Sequence, residues 1–330
     1  MNVGVLGLGY WGPNIVRNLL ALGQNVYVHD PDPSRVRAVM ERSGDCHPVG
    51  SVTEMLEGPA VPAVVLAVPL SLHCPLIVRA LESGKHVFVE KPMCATLAEA
   101  DTIRQRLNGS VFMVGHITRY NNAIAKISQY VRGGELGDIT RIASTRSHLG
   151  PVYKDTDVLT EVAAHDIAIV QDLLHRPPAS VRAWGTHRLG RSAFDSAHLV
   201  LTWSSGCLVQ IDVQWSSVIR RRELEVEGTQ GTMVYRAHTV PEQVIHYDHR
   251  AAYAMLTEGT TPAAATAAVR ESVLETGGCE PLREELAAFL ECIEQHTPPA
   301  TGFEFSRGVV SILEAARESM HNAGATIRIS

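Results

Sequence analysis

The sequence has neither a strong excess of one charge nor a long apolar run. Its 330 residues include 29 Lys and Arg against 35 Asp and Glu, a net charge of −6. We therefore expect no nucleic-acid partner, because such binding requires a basic surface. No apolar stretch approaches the length that crosses a membrane. We therefore expect no membrane association. Because the first predicted strand already starts at Val3, we also expect no signal peptide.

Cysteine is sparse and follows no ligand or disulfide pattern. No two cysteines have C-x-x-C spacing. We therefore expect reduced thiols in a cytoplasmic protein, with no disulfide framework and no metal site. The six are Cys46, Cys74, Cys94, Cys207, Cys279 and Cys292.

The first thirty residues contain the strongest motif. Val3–Leu6 is an apolar run typical of a buried strand, and a G-x-G-x-x-G sequence follows it at 7–12. A helical pattern opens at Pro13, and a second apolar run, Val26–Val28, leads to Asp30. Strand, glycine loop, helix, strand and acid in this order predict a dinucleotide-binding unit.

Each glycine of the motif has an expected role. Gly7 allows the tight turn, Gly9 lets the backbone approach a pyrophosphate, and Gly12 lets the helix pack on the strand. The helix N-terminus supplies N–H groups and a partial positive charge for the phosphates. Tyr10 and Trp11 lie between these glycines, so we expect them to contact the cofactor as well.

Asp30 predicts NAD rather than NADP. A carboxylate at the end of the second strand accepts hydrogen bonds from the ribose hydroxyls and repels a 2′-phosphate. Asp32 adds further negative charge, and Arg35 is the nearby cation, expected against the adenine.

The next apolar run, Ala63–Val68, predicts a central parallel strand that ends at Pro69. Its carboxyl end should face the cofactor, so Val68 and Pro69 are expected there. His73 has two interpretations that the residues leave open: a position near the nicotinamide, or a structural role as a helix-capping or solvent-exposed histidine.

Lys85–Val89 predicts another strand, and Glu90-Lys91-Pro92 follows it. Proline cannot continue the ladder, so Glu90 and Lys91 should lie at the carboxyl edge of the sheet, where ligands bind. A lysine beside a nicotinamide could hydrogen-bond the reacting hydroxyl. From these residues alone, an exposed surface lysine is the simpler interpretation.

The glycine motif and the Glu90-Lys91-Pro92 triplet resemble those of the glucose–fructose oxidoreductase/inositol dehydrogenase (Gfo/Idh/MocA) family. The resemblance implies that Lys91 is catalytic and contacts the reacting hydroxyl. In this family the bond before the proline is often cis, a specific way to aim the lysine. The implied fold is α/β, an N-terminal Rossmann NAD-binding domain followed by an α+β domain with a large, open, mostly antiparallel sheet.

The passage between the two domains is marked by Arg119-Tyr120-Asn121-Asn122. It resembles the family's arginine–aromatic–asparagine–proline signature, with Asn122 in place of the proline. We therefore predict a Rossmann domain at 1–118 and a substrate-binding and oligomerisation domain at 119–330. Arg119 and Tyr120 are expected to contact the substrate.

A second stretch with candidate catalytic residues is Asp157–Leu174, whose pattern predicts one helix. Glu161 and His165 are four residues apart and share a face, and a histidine with an acid one turn away can be an oriented general base. A metal pair would lack a third ligand, and HExxH is absent. These residues alone favour a structural histidine at a domain junction.

The family resemblance changes this interpretation. Aspartate, three residues, then histidine is the usual active-site pair of its sugar dehydrogenases, and here the acid is Glu161. With Gly-Tyr-Trp-Gly-Pro-Asn at 9–14, the pattern resembles the branch that oxidises C3 of sugar nucleotides or related sugars. It implies that His165 takes the hydroxyl proton, that Glu161 orients it and that Asp166 contacts the substrate.

From Ala179 onward, alternating residues predict antiparallel strands. Helices should cover one face, and a face carrying tryptophans should meet a second subunit. The family resemblance implies a homodimer or homotetramer formed through this sheet. The Ala- and Thr-rich stretch Ala251–Val269 reads as flexible or weakly helical.

Two arginines of this half are candidates for binding an anionic or hydroxyl-rich substrate. Arg146 shares a strand face with Ser144, although the residues alone slightly favour an arginine at the surface of the sheet. Arg220 begins a run of three arginines that a diphosphate could use, and a solvated or interface cluster is the alternative.

Together these observations predict a cytoplasmic, NAD-dependent dehydrogenase that oxidises a secondary hydroxyl, at C3, of a sugar, nucleotide sugar or aminoglycoside-type sugar. The family resemblance alone implies that a transaminase would use the ketosugar downstream. A ketosugar reductase, an inositol dehydrogenase and a non-catalytic NAD-binding regulator remain alternatives. The expected cofactor residues are Gly7, Gly9, Tyr10, Trp11, Gly12, Asp30, Arg35, Val68, Pro69, His73, Glu90 and Lys91. The expected substrate residues are Lys91, Arg119, Tyr120, Arg146, His165, Asp166 and Arg220.

Overall fold

The computed structural model describes residues 1–150, 156–190, 193–239 and 242–329. The strands are β1 (Asn2–Leu6), β2 (Asn25–His29), β3 (Cys46–Pro48), β4 (Ala63–Leu66), β5 (His86–Glu90), β6 (Phe112–Gly115), β7 (Ile139–Leu149), β8 (Ser180–Thr186), β9 (Ser196–Thr202), β10 (Leu208–Gln214), β11 (Ser216–Gly228), β12 (Gly231–Arg236), β13 (Gln243–Asp248), β14 (Arg270–Leu274) and β15 (Ile327–Arg328). The α-helices are α1 (Gly12–Ala21), α2 (Pro33–Ser43), α3 (Val52–Glu57), α4 (His73–Glu82), α5 (Leu97–Arg104), α6 (Asn122–Arg132), α7 (Ala164–Leu174), α8 (Arg250–Thr257), α9 (Pro262–Ala267), α10 (Pro281–Gln295) and α11 (Phe303–His321). Short 3₁₀ turns lie at Leu70–Leu72 and Ile117–Tyr120, and a π-helical turn lies at Leu159–Ala163.

The first sheet is parallel and has the strand order β3-β2-β1-β4-β5-β6. This is the order of the doubly wound dinucleotide-binding fold. The central strand β4 is apolar and buried at every position, because both faces of the sheet are covered. In β4, for example, Val65 packs in one buried cluster with Ile15, and Val64 packs in the other with Ile77.

The second sheet has nine strands in the order β14-β13-β12-β11-β7-β10-β9-β8-β15. Its neighbours are antiparallel except β7 and β10, which run parallel. Strands such as β10 alternate buried and half-buried residues, as expected when helices cover one face only. The predicted fold class, a Rossmann domain plus an α+β domain with a mostly antiparallel sheet, is confirmed.

The packing divides the chain into one unit of Met1–Tyr120 with Glu280–Ser311 and another of Asn121–Cys279 with Ile312–Ser330. This differs from the predicted boundaries of 1–118 and 119–330, which place the whole C-terminal part in the second domain. The reason is the apolar face of α10. Leu282, Leu286 and Phe289 are buried in the same cluster as Val3 and Val5 of β1.

Polar side chains mark the start of two helices in this unit. Helix α2 is capped by Asp32, whose carboxylate accepts the Ser34 backbone N–H at 2.9 Å. Helix α5 begins at Leu97, because Thr96 is its N-cap. The Ala- and Thr-rich stretch 251–269 falls on the two helices α8 and α9.

The distribution of tryptophans also differs from the expectation of a tryptophan-bearing open face. Trp203 and Trp215 are buried within the second unit, and Trp184 is partly exposed. No helix in the described ranges is both long and apolar enough to cross a membrane.

Candidate active site

The glycine loop lies at the carboxyl end of β1. Gly7 has a φ of +91°, and a Cβ there would collide with the carbonyl oxygen of Ala67. A Cβ on Gly12 would collide with the carbonyl oxygen of Gly7. A Cβ on Gly9, in contrast, would meet nothing within 4 Å. The fold therefore explains why residues 7 and 12 are glycine, and the open space at Gly9 fits the close approach of a pyrophosphate.

The N-terminus of α1 fits the same ligand. Its first turn has no acidic residue and no side-chain cap. The partial positive charge of the helix end is thus not offset by its own side chains, which favours an anion there. Tyr10 and Trp11 belong to the glycine loop and have 78% and 38% of their surface exposed. Their ring centres lie 5.7 Å apart in an edge-to-face arrangement.

Asp30 is buried at the end of β2 and holds the glycine loop. Its Oδ2 accepts the backbone N–H of Leu8 at 2.8 Å, and its Oδ1 accepts that of Asp32 at 2.9 Å. Each carboxylate oxygen has a second lone pair, so capacity for ribose hydroxyls remains. The half-exposed guanidinium of Arg35 lies 3.5 Å from Asp30 and 3.7 Å from Asp32. Its contact with an adenine stays a prediction.

His73 connects two loops at the carboxyl edge of the sheet. It is the first residue of α4 and is buried, which differs from the solvated alternative. Its ring nitrogens lie 2.9 Å from the carbonyl oxygen of Pro92 and 3.0 Å from that of Val68. Burial lowers the pKa of His73 despite the opposing effect of these carbonyls. The side chain therefore joins the Val68-Pro69 segment to the segment that carries Lys91.

Lys91 directly follows β5, and its bond to Pro92 is cis. Because β1 and β5 belong to one parallel sheet, Lys91 and the glycine loop lie at the same edge. Lys91 and Glu90 are both half-buried. This is the edge at which α/β sheets bind their ligands.

Two buried ionisable residues near this edge escaped the sequence reasoning. Glu285 of α10 is fully buried, and neither carboxylate oxygen has a hydrogen-bond partner among the described residues. Burial, and then the charge of Glu90, raise its pKa well above the usual value. The available signal was a glutamate at a core position of α10, between Leu282 and Leu286.

The second is His116, which follows β6. It is fully buried, neither ring nitrogen has a hydrogen-bond partner in the described part of the chain, and its ring meets that of Phe305 at 5.4 Å. Burial, then the charges of Lys91 and Arg119, lower its pKa to about 3. His116 is therefore neutral at physiological pH, next to the proposed catalytic lysine.

The 3₁₀ turn Ile117–Tyr120 contains Arg119 and Tyr120, which together with Lys91 are the predicted substrate residues of the first unit. The guanidinium of Arg119 lies 5.8 Å from the ring centre of Phe305. Burial, and then the charge of Glu285, raise the pKa of the Tyr120 hydroxyl. Their contact with a substrate stays a prediction.

In the second unit, Glu161 and His165 lie at the start of the long helical segment. The segment is not one α-helix as predicted, because Leu159–Ala163 form a π-helical turn before α7 begins at Ala164. The α-helical i, i+4 relation between Glu161 and His165 is therefore altered. Such π-turns occur frequently at functional sites.

A network of polar side chains holds this turn. Asp157 Oδ1 accepts the backbone N–H of Thr160 at 2.9 Å and its hydroxyl at 2.8 Å. Arg317 of α11 donates to Asp157 Oδ2 at 3.2 Å and to the Thr160 hydroxyl at 2.9 Å. Arg317 lies far along the chain, and no sequence pattern connected it to this site.

Two predicted substrate residues, Arg146 and Asp166, are each other's partners. Arg146 Nε and Nη2 donate to the two Asp166 oxygens at 2.9 and 3.0 Å, and the Ser144 hydroxyl donates to Oδ1 at 2.8 Å. Asp166 is buried and directly follows His165 in the chain. Arg220 is exposed on β11, in a stretch where the register with β7 shifts.

Comparison with known proteins finds two family models. Residues 1–116 match the NAD-binding Rossmann fold of the GFO_IDH_MocA oxidoreductase family, and residues 124–234 match the GFO/IDH/MocA C-terminal domain. Among curated proteins, the chain is 27% identical to UDP-N-acetylglucosamine 3-dehydrogenase of Acidithiobacillus ferrooxidans over 90% of both chains. It is 28% identical to an NAD-dependent scyllo-inositol 2-dehydrogenase of Bacillus subtilis, over 69% of this chain and 72% of the relative.

Solved structures with the same fold include two sugar dehydrogenases. The UDP-N-acetylglucosamine 3-dehydrogenase of Acidithiobacillus ferrooxidans superposes with a TM-score of 0.82 at 22% identity, over 98% of both chains. Levoglucosan dehydrogenase in complex with NADH superposes with a TM-score of 0.87 at 17% identity, over 100% of this chain and 99% of the other.

Proposed function

Because this chain belongs to the Gfo/Idh/MocA family of NAD-binding oxidoreductases, we propose that it oxidises the C3 hydroxyl of a sugar or nucleotide sugar to a ketone. The chain is an oxidoreductase of CH–OH groups, and its cofactor is NAD. The position of the hydroxyl and the identity of the sugar belong to the proposal.

One observation carries the proposal most directly. Lys91 stands at the carboxyl edge of β5, the same edge that presents the Gly7–Gly12 loop after β1. A cofactor whose pyrophosphate lies over the glycine loop extends along this edge. The lysine is thus in the position from which a protein group can reach the reacting end of a dinucleotide.

The proposed chemistry needs one hydrogen-bond donor and one base. NAD, held by the glycine loop and Asp30, supplies the hydride acceptor. Lys91 donates a hydrogen bond to the substrate oxygen, and His165 takes the hydroxyl proton. With the hydride going to bound NAD and the hydroxyl proton to His165, the alcohol would become a ketone.

Glu161 and the network behind it orient the base. Asp157, Thr160 and Arg317 hold the π-turn that carries Glu161. A base that is fixed in direction contributes more than a mobile one, because proton transfer requires hydrogen-bond geometry. Glu161 is the acid that we propose for orienting His165.

The preference for a C3 hydroxyl and a nucleotide sugar is supported by the relative in Acidithiobacillus ferrooxidans, whose match covers 90% of both chains. A ketosugar of this kind would suit a transaminase as the next enzyme. The inositol dehydrogenases among the relatives keep a second candidate open, oxidation of an inositol or the reverse reduction of a ketosugar.

The test measures NADH formation by absorbance, with UDP- and dTDP-sugars, free aminosugars and inositols as substrates. Turnover with one sugar class should be lost in Lys91→Ala and in His165→Ala. Lys126→Ala and His47→Ala, which alter a half-buried and an exposed residue outside the site, should retain it. Tight NAD binding without turnover in either direction on any of these compounds would contradict the proposal and favour a non-catalytic regulator.

Self-association through the nine-stranded sheet is a further part of the proposal. Trp184 is partly exposed there, and the guanidinium of Arg182 lies 5.0 Å from its ring centre. Light scattering of the purified protein should give the mass of a dimer or tetramer, and Trp184→Glu should reduce it. A monomeric mass for the unaltered protein would exclude this part.

A further inference from the structure

Two arginines face each other across neighbouring strands of the nine-stranded sheet. Arg146 of β7 and Arg222 of β11 are direct antiparallel partners in the register. Like charges in this position destabilise a sheet unless another group compensates them. The adjacent pair on the same strands, Ser144 and Leu224, has its serine hydroxyl bonded to Asp166 of α7.

The compensation is incomplete, because Asp166 forms its bidentate hydrogen bonds with Arg146 and acts on Arg222 only through its charge. Its two oxygens form a bidentate pair with Arg146. The Nε of Arg222 is buried and has no hydrogen-bond partner among the described residues. Burial, and then the charge of Arg146, lower the pKa of Arg222. A buried guanidinium in this state is costly to the fold.

Glu242, another carboxylate that acts on Arg222, already accepts a hydrogen bond. Its charge raises the pKa of Arg222, and its Oε2 accepts a hydrogen bond from the Tyr235 hydroxyl at 2.7 Å. Tyr235 is buried, and burial raises the pKa of its hydroxyl. Within the described ranges, Nε of Arg222 forms a hydrogen bond with neither side chain.

Further positive charge surrounds the pair. Arg220 lies two residues before Arg222, and His148 lies two residues after Arg146. Burial, then the charges of Arg146, Arg220 and Arg222, lower the pKa of His148. We call Arg146, Arg220 and Arg222 the arginine cluster. Asp166 and Glu242 are the carboxylates that act on Arg146 and Arg222, and the exposed Arg220 adds a third positive charge to the cluster.

We infer that the arginine cluster binds an oxyanion, a carboxylate or a phosphate, that the substrate carries in addition to its reacting hydroxyl. The planar guanidinium of Arg222 presents donors that match such a group bidentately. The inference rests on the proposed function, because it takes His165 as the catalytic base, and His165 directly precedes Asp166 in the chain. It narrows the substrate class, because inositols are uncharged whereas sugar acids, sugar phosphates and UDP-sugars carry oxyanions.

The experiment measures binding by titration calorimetry in the presence of NAD. The probes are N-acetylglucosamine as the neutral sugar, glucuronate, glucose 1-phosphate, UDP-N-acetylglucosamine and inorganic pyrophosphate. At least one charged probe should bind more tightly than the neutral sugar. Arg222→Gln should weaken that binding about 10- to 100-fold, as expected for loss of a charged hydrogen-bonding partner. Binding of the neutral sugar should stay nearly unchanged.

Two variants serve as controls. Arg141→Gln alters an arginine of the same strand β7 that is paired with Glu227 and Glu225, and it should leave all affinities unchanged. Arg222→Lys keeps the charge but loses the planar fork, so it should retain part of the preference for the charged probe. Thermal unfolding of each variant verifies that it is folded.

The outcomes separate the two proposals. Dependence on Arg222 with glucuronate alone identifies a carboxylate, and dependence with the phosphate probes identifies a phosphate. If no charged probe binds in an Arg222-dependent manner, or if Arg222→Gln weakens neutral and charged probes equally, the inference is overturned. A charged sugar that binds through Arg222 without forming NADH would contradict the dehydrogenase proposal and leave the oxyanion site standing.

Discussion

The carbonyl oxygen of Pro92 lies 2.9 Å from Nδ1 of His73, and this contact ties the segment after β5 to the first turn of α4. Nε2 of the same ring faces the carbonyl of Val68 at 3.0 Å. One buried side chain thus joins the segments that follow β4 and β5, and it does so one residue away from Lys91. We interpret His73 as a positioning residue for the lysine.

This interpretation predicts a kinetic effect of His73→Leu. The variant removes both contacts, so Lys91 should lose its fixed position and kcat should fall about 10- to 100-fold, with a much smaller change in KM for NAD. His86→Leu is the matched control, since His86 Nδ1 accepts the backbone N–H of Val111 at the opposite edge of the sheet. A kcat loss that is no larger in His73→Leu than in His86→Leu would contradict the positioning role.

The glycine loop predicts a separation of stability from cofactor binding. Gly7→Ala should destabilise the protein, because φ is +91° and the added carbon collides with the Ala67 carbonyl. Gly9→Ala should leave the unfolding temperature unchanged, because the added carbon meets no atom of the described residues within 4 Å, and should weaken NAD binding. Unfolding scans and NAD titrations check both. Unaltered NAD affinity in Gly9→Ala would refute the role of this glycine.

His116 predicts a loss of stability in acid. Its pKa in the folded protein is lowered to about 3, from an ordinary value of 6.5. The folded state therefore keeps the ring neutral while the unfolded state takes up a proton. The stability that this provides is complete above about pH 6.5, and it falls by about 1.4 kcal/mol per pH unit as the pH decreases toward 3.

The variant His116→Leu checks this linkage. It removes the titrating group and two polar atoms without partners, so its free energy of unfolding should depend less on pH between about 6 and 4. Denaturant titrations at several pH values measure the difference from the unaltered protein. His47→Leu, at an exposed position, should leave the slope unchanged. Equal slopes for His116→Leu and the unaltered protein would show that His116 does not carry the linkage.

Glu285 predicts the opposite pH dependence. Its pKa in the folded protein is raised well above 4.5 by burial and by Glu90. Its contribution to stability is thus fully present below about pH 4.5 and is lost as the pH rises toward the folded pKa. Glu285→Gln keeps the shape without the titration, so its stability advantage should grow by about 1.4 kcal/mol per pH unit in that window.

Unfolding measurements from pH 4 to pH 8 test this prediction. Glu284→Gln, on the exposed side of the same helix, is the control and should show no such trend. A constant difference between Glu285→Gln and the unaltered protein over the whole range would contradict a raised pKa at this position.

Much of the first unit could be predicted because its signals are local. The run Ala63–Val68 is apolar at every position, as a strand covered on both faces requires. Proline after Lys91 ends β5 for a covalent reason that needs no tertiary context. The glycine spacing from Gly7 to Gly12 likewise reflects constraints within one turn. Strands β12 to β14 of the second sheet have a weaker alternation of apolar and polar residues, so they could not be predicted in the same way.

The sequence by itself determined the strand–loop–helix unit, the acid at Asp30, the place of Lys91 after its strand and the mostly antiparallel second sheet, because each depends on neighbours within a few residues. Only the tertiary structure assigned α10 to the first unit, paired Arg146 with Asp166, placed Arg222 opposite Arg146 and connected Arg317 to Asp157. The three side-chain relationships join residues that lie 20 to 160 positions apart, and α10 is still farther along the chain from β1. Burial and strand register decide them, and neither can be read from the local pattern of residues.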